Sequence, residues 1–160
     1  MNISNILQPI LYCTGGVGVA SIVACATTEL EHALLTDGND DVIAIAKLNI
    51  DNAALSLPGG SGRASAVKYS WGDISPGALT GGFDVVLGAE LTYYNTDMNL
   101  LVSTVVRLLN EGKAEGENSG LFIHAHIFRK QDQEEELIQC FSDVGWSSAE
   151  VDMLFCCITC

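Results

Sequence analysis

Four short apolar runs, at residues 9–13, 33–36, 83–89 and 121–128, and a strand-like stretch at 65–70 recur along this chain with helix-like or turn-rich segments between them. Runs of this length suit buried strands and are too short for helices of their own. Residues 19–26 are small and apolar, which suits a helix packed closely on a sheet. Residues 40–52 place Val42, Ile45, Ala46, Leu48 and Asn49 at roughly helical spacing and predict a second helix. Asp97 can cap a third, whose apolar face is Leu100, Leu101, Val105, Leu108 and Leu109. Residues 132–144 form an acidic amphipathic pattern that stops at Gly145, and residues 149–160 suggest at least one more strand. Repeated strand–helix units with apolar strands imply α/β architecture, a mostly parallel sheet covered by helices on both faces. No linker-like break and no internal repeat divides the sequence, so the expectation is a single domain over residues 1–160.

Charge and cysteine usage narrow the partners. Twenty acidic against seven basic residues leave a formal net charge of −13. A chain that acidic lacks the clustered Lys and Arg that neutralise phosphates, so nucleic acid is not an expected partner. It tends instead to attract cations, basic protein segments among them. No segment approaches the roughly 18 uninterrupted apolar residues of a membrane span. Met1-Asn2-Ile3-Ser4-Asn5 has no basic flank of a signal peptide. Cys13, Cys25, Cys140, Cys156, Cys157 and Cys160 are scattered, mostly within apolar runs. Buried, reduced thiols in a cytosolic or nuclear protein explain them best. Cys157 and Cys160 have the spacing of a redox or zinc half-site without a second pair, and His124 and His126 alternate on one strand without a recognisable third ligand. No metal is therefore expected.

The chemistry gathers at the carboxyl ends of the strands, where open α/β sheets bind ligands. Gly15-Gly16-Val17-Gly18 follows the first strand, and glycines there permit a tight turn and close backbone approach to a ligand. Read as Gly-x-Gly-x-x-Gly, its third position is Ser21, so the dinucleotide fingerprint is incomplete. Asp37 lies 19 residues beyond Gly18 and can accept hydrogen bonds from two ribose hydroxyls; its bland role is a turn residue before Gly38. Trp71-Gly72-Asp73 closes the third strand, where an indole can pack on a purine and Asp73 can accept from an exocyclic amine. Equally, Trp71 can simply cover the sheet end while Asp73 starts the next turn. The fourth strand ends in Glu90 with Tyr93 three residues on, polar groups where a ligand would sit. Neither a Gly-x-Ser-x-Gly elbow nor a Gly-Lys-Ser/Thr phosphate loop is present, which argues against hydrolases and nucleoside triphosphatases.

Leu35-Thr36-Asp37-Gly38-Asn39, Trp71-Gly72 and Phe83-Asp84-Val85-Val86-Leu87-Gly88-Ala89-Glu90-Leu91-Thr92-Tyr93 together resemble the seven-strand S-adenosylmethionine-dependent methyltransferases. Within these the chain is similar to the protein lysine methyltransferase branch, whose marks are a glycine-rich first loop, a Trp-Gly after strand three and an acid-x-x-Tyr after strand four. The Leu-Thr-Asp-Gly-Asn run is also similar to calmodulin-lysine methyltransferases. The resemblance covers about residues 11–146 and implies a Rossmann-like fold of the seven-strand methyltransferase type, from which this chain departs in having abbreviated ends. It implies Gly16 and Gly18 beside the methionine part of the cofactor, Asp37 on the ribose, and Trp71, Gly72 and Asp73 around adenine. It places Glu90 and Tyr93, as catalytic residues, at the methyl group and the incoming lysine of a protein substrate. Tyr12 stands where the family usually has an acid, Thr14 replaces a glycine, and Glu90 replaces the commoner aspartate. The family also carries a segment before strand one, so an N-terminally truncated member is expected. Two other readings remain open: a methyltransferase-fold binding module without catalysis, and a nicotinamide-dependent oxidoreductase using the same glycine loop. Oligomeric state is not legible.

Overall fold

A computed structural model of the chain describes residues 10–13, 16–28, 30, 32–54, 63–75, 79, 82–93, 95–111, 113, 120–126, 131–151 and 155–159. Its contacts group into two compact units, Met1–Ser70 and Trp71–Cys160.

The first unit runs β1 (Ile10–Cys13), α1 (Val19–Thr27), β2 (Ala33–Asp37), α2 (Asp40–Ala54) and β3 (Ala64–Lys68). Its strands lie in the order β3-β2-β1 and are all parallel, with Ile10 opposite Ala33 and Ala33 opposite Ala64. Parallel neighbours need a crossover, and α1 and α2 supply it. The consequence for function is directional: Gly16, Gly18 and Asp37 all follow or end strands that point the same way.

Leu30, Leu35, Ile43, Ala46, Ile50 and Tyr69 are buried in this unit. The face expected of α2 needs correction. Ala46 is buried as expected, but its companions are Ile43 and Ile50, whereas Ile45 and Leu48 are exposed. At 3.6 residues per turn, positions 43 and 50 lie within about 60° of Ala46, whereas 45 and 48 lie at least about 100° away. The α1 end is held by Arg63, whose guanidinium donates to Cys25 O (2.7 Å), Leu30 O (3.1 Å) and Thr28 O (3.3 Å). Those bonds satisfy carbonyls that a helix C-terminus leaves without partners. Cys25 is a buried free thiol that donates to Arg63 O, and burial pushes its pKa up.

The second unit comprises β4 (Val85–Ala89), α3 (Met98–Asn110), β5 (Leu121–Ala125), α4 (Gln131–Asp143), β6 (Ser147–Val151) and β7 (Phe155–Thr159). Strand order is β4-β5-β7-β6; β4 and β5 are parallel, and β7 is antiparallel to both β5 and β6. The run at 149–160 thus belongs to a pair of strands. Asp97 caps α3 as its position predicts, its Oδ1 accepting from Leu100 N at 2.9 Å. On the apolar face of α3, Leu101, Val105, Leu108 and Leu109 are fully buried, with Met98 and Val102 beside them, while Leu100 is partly exposed. Phe141 of α4 packs on Phe122 of β5 (centroids 5.3 Å) and on Trp146 (5.8 Å), which fastens that helix to the sheet. Gly145 follows α4 at φ 84°, the left-handed turn that ends it. Residues 127–130, in the expected end of the fifth strand and the Arg129-Lys130 pair, lie outside the described residues, as do Thr14, Gly15 and Cys160.

Candidate active site

In the first unit, Gly18 is the N-cap of α1 and has φ 91°, a conformation that side-chain-bearing residues rarely adopt. Among the described residues no side chain caps this helix, so its first N–H groups keep their affinity for an anionic acceptor. Val17 O accepts from Asn49 Nδ2 of α2 at 2.7 Å, which ties the glycine loop to the next helix. Sequence reading placed Asn49 only on a helix face. Ser21, at the third glycine position of the fingerprint, is buried, and its hydroxyl has no partner among the described residues.

Asp37 ends β2. Its Oδ1 accepts from Asn39 N at 2.7 Å, and its carbonyl accepts from Tyr69 N at 3.0 Å. Asn39 in turn accepts from Asp41 N at 2.8 Å and starts α2. Asp37 therefore does serve as a turn residue, through one carboxylate oxygen; Oδ2 takes no part in that bond.

In the second unit, Trp71 is half-buried and Gly72 sits at φ 77°. A Cβ at Gly72 would stand 2.5 Å from Leu100 Cδ1, so α3 passes directly beneath the turn. The Gly72 N–H donates to Thr104 Oγ1 at 2.8 Å, and the same hydroxyl donates to Leu100 O at 2.8 Å. Arg107, one turn further along α3, donates to Asp73 O (3.3 Å) and Leu79 O (3.2 Å) and pairs with Glu111 (2.8 Å). Asp73 Oδ1 accepts from Ser75 Oγ (2.6 Å) and Ser75 N (2.9 Å), and those hydrogen bonds hold its pKa below the usual carboxylate value. That is the turn-starting role weighed for Asp73.

Glu90 is the one non-glycine described residue at positive φ, 55°. Its N–H donates to Ala125 O at 2.8 Å, so the bond to the β5 end survives past the end of β4 while the backbone turns sharply. Left-handed geometry costs a non-glycine residue on the order of 1 kcal/mol and persists where the surroundings over-determine it. Beyond it, buried Leu91 anchors a loop closed by Thr96. Thr96 Oγ1 donates to Leu91 O (3.0 Å) and accepts from Tyr93 N (2.9 Å), while Thr96 N donates to Tyr93 O (2.9 Å). The backbone of Tyr93 is thus fixed, while the residue remains 51% exposed.

His124 and His126 stack at 4.9 Å, and His124 also stacks on Phe122 at 5.9 Å. His124 is 1% exposed, and neither ring nitrogen has a hydrogen-bond partner among the described residues. Burial, with a smaller contribution from His126, pushes its pKa down to about 4. His126 lies 3.8 Å from Glu134 of α4. Among the described residues no group of three or more His, Cys, Asp or Glu side chains could hold a metal ion.

Thr104, Thr96, Asn49 and Arg107 are the residues that sequence reading missed. Each acts through a bond to a backbone group 3 to 34 residues away.

A family model described as lysine methyltransferase matches residues 8–144. The chain belongs to that family. The resemblance carried by the Leu35–Asn39 run, Trp71-Gly72 and the strand ending at Glu90 is borne out, and all eight candidate residues lie inside the matched stretch. This family member is 27% identical, over 81% of its length, to a calmodulin-lysine N-methyltransferase of Arabidopsis thaliana, and it spans 40% of that relative's length. Among solved structures it is similar to a chain of the Haloferax volcanii complex between the Trm112 methyltransferase activator and a methyltransferase. There the TM-score is 0.67 at 18% identity, covering 92% of this chain and 65% of that one. It also resembles PKMT2 from Rickettsia typhi in complex with AdoHcy, with a TM-score of 0.55 at 16% identity over 74% of this chain and 21% of that one. At these identities the structural likeness carries the fold, which is the Rossmann-like α/β fold of class I methyltransferases. Among the described residues no helix is long and apolar enough to cross a membrane.

Proposed function

We propose that this protein transfers a methyl group from S-adenosylmethionine to a lysine side chain of a protein substrate. The observation that carries the reading is the lysine methyltransferase match, which runs from residue 8 to residue 144 and takes in every strand end with candidate chemistry. The chain's own groups suit the cofactor. The uncapped N-terminus of α1 at Gly18 favours an anionic group, with Gly16 beside it. Asp37 offers a carboxylate oxygen to ribose hydroxyls, and Trp71, Gly72 and Asp73 offer an indole face and a fixed turn to adenine. When bound, the cofactor supplies an electrophilic methyl on a sulfonium.

The remaining work belongs to Glu90 and Tyr93. A lysine arrives as an ammonium and must pass a proton to the Glu90 carboxylate or to water before its lone pair can attack; the N–CH3 bond then forms as the S–CH3 bond breaks, and S-adenosylhomocysteine leaves as the neutral thioether. Glu90 holds the ammonium and favours its approach, and Tyr93, with fixed backbone and exposed ring, orients the amine. In-line placement supplies much of the rate, which is why a tied loop suits Tyr93. The net charge of −13 draws basic segments toward the protein. Cys25, buried and reduced, fits a cytosolic or nuclear setting.

The test is calorimetry with S-adenosylhomocysteine, followed by methyl transfer from labelled S-adenosylmethionine to proteins. Calmodulin is the first acceptor to assay, given the name of the Arabidopsis thaliana relative. Binding plus label on lysine is the expected result. Binding without transfer to any protein would move the reading to a cofactor-binding module, and absence of binding would remove it.

A further inference from the structure

We propose that Thr104 is a positioning residue for cofactor recognition, setting the Trp71–Gly72–Asp73 turn from below through its hydroxyl. The inference rests on the methyltransferase reading and adds to it a residue outside the strand ends. Thr104 is 2% exposed, whereas every other residue that α3 buries is apolar. A hydroxyl in that setting is costly unless both its donor and acceptor capacities are used. Here both are: it donates to Leu100 O within its own helix and accepts from Gly72 N across 32 residues of sequence.

The bond to Leu100 fixes where the lone pairs of the oxygen point. That makes the hydroxyl a preset acceptor for one backbone N–H rather than a free rotor. The Gly72 end is equally constrained. Its φ of 77° and the nearness of Leu100 leave the turn seated on α3 between Thr104 and, one turn on, Arg107 at Asp73 O. The Trp71 indole and the Asp73 carboxylate flank the residue that Thr104 holds. Removing the hydroxyl frees Gly72 N and lets the turn shift, so both flanking groups lose their register together. The positive φ of Gly72 and the nearness of Leu100 both favour glycine in this Trp-Gly pair.

The experiment uses the full chain and its Thr104→Val and Thr104→Ser variants. Affinities are measured by calorimetry for S-adenosylhomocysteine and for S-inosylhomocysteine, which lacks the exocyclic amine. Wild type is expected to prefer the adenosyl compound. Thr104→Val, folded by circular dichroism, should bind it about tenfold more weakly and lose most of that preference, because the register of both flanking groups is gone. Thr104→Ser should stay within about twofold of wild type, since it keeps the hydroxyl. If the valine variant does not fold, Thr104→Ala against Thr104→Ser gives the same comparison. Unchanged affinity in a folded valine or alanine variant would overturn the proposal. So would an equal loss for both compounds with the preference intact, which is what a merely structural role produces, or a wild type that binds both alike. A wild type that binds neither would instead bring down the methyltransferase reading, and this proposal with it.

Discussion

Acidifying the solution from about pH 7.5 to about pH 5 is expected to destabilise this protein through His124, by about 2 kcal/mol from that one residue. The ring is buried between Phe122 and His126, both nitrogens are without partners among the described residues, and its pKa falls from 6.5 to about 4 in the fold. An unfolded chain offers it water and the ordinary pKa. Because the folded value is the lower one, the unfolded state binds the extra proton first. The neutral ring's contribution is complete above pH 6.5 and is lost as the pH falls toward 4. Each pKa unit is worth about 1.4 kcal/mol, so the full difference amounts to roughly 3.5 kcal/mol, of which about 2 is spent by pH 5. Urea unfolding of wild type and His124→Leu at both pH values measures it. Packing changes caused by leucine do not depend on pH, and the twenty acidic residues titrate alike in both proteins, so both cancel in the difference of differences. Wild type should lose about 2 kcal/mol more than the variant over that interval. A difference below about 0.5 kcal/mol would show that His124 is not held neutral by the fold.

Two further outcomes follow from the strand ends. Asp37→Ala should weaken S-adenosylhomocysteine binding by roughly 10- to 100-fold in calorimetry, because ribose hydroxyls lose a charged acceptor; unchanged affinity in a folded variant would mean the ribose lies elsewhere. Glu90→Gly, whose glycine accepts φ 55° without strain, should lower methyl transfer by at least about 100-fold while the variant still binds S-adenosylhomocysteine. Retained transfer would contradict the role of Glu90.

What the sequence by itself determined was the order of elements and the identity of the strand ends. Strands buried on both faces read as apolar runs, and turns demand glycine, aspartate or asparagine, so β2 ending at Asp37, the cap at Asp97 and the stop at Gly145 were legible one residue at a time. The family followed from the same local signals. Tertiary structure decided what local pattern leaves degenerate. The α2 spacing admitted several faces, and only packing chose Ile43, Ala46 and Ile50 over Ile45 and Leu48. Nothing in residues 83–94 announces that Glu90 turns left-handed, because that conformation is imposed by the bond to Ala125 and the loop closed at Thr96. The hold of Thr104 on Gly72 spans 32 residues and has no periodicity to betray it. Chemistry at the tips of strands is written in short motifs, whereas the side chains that hold those tips act through backbone groups, which every residue shares.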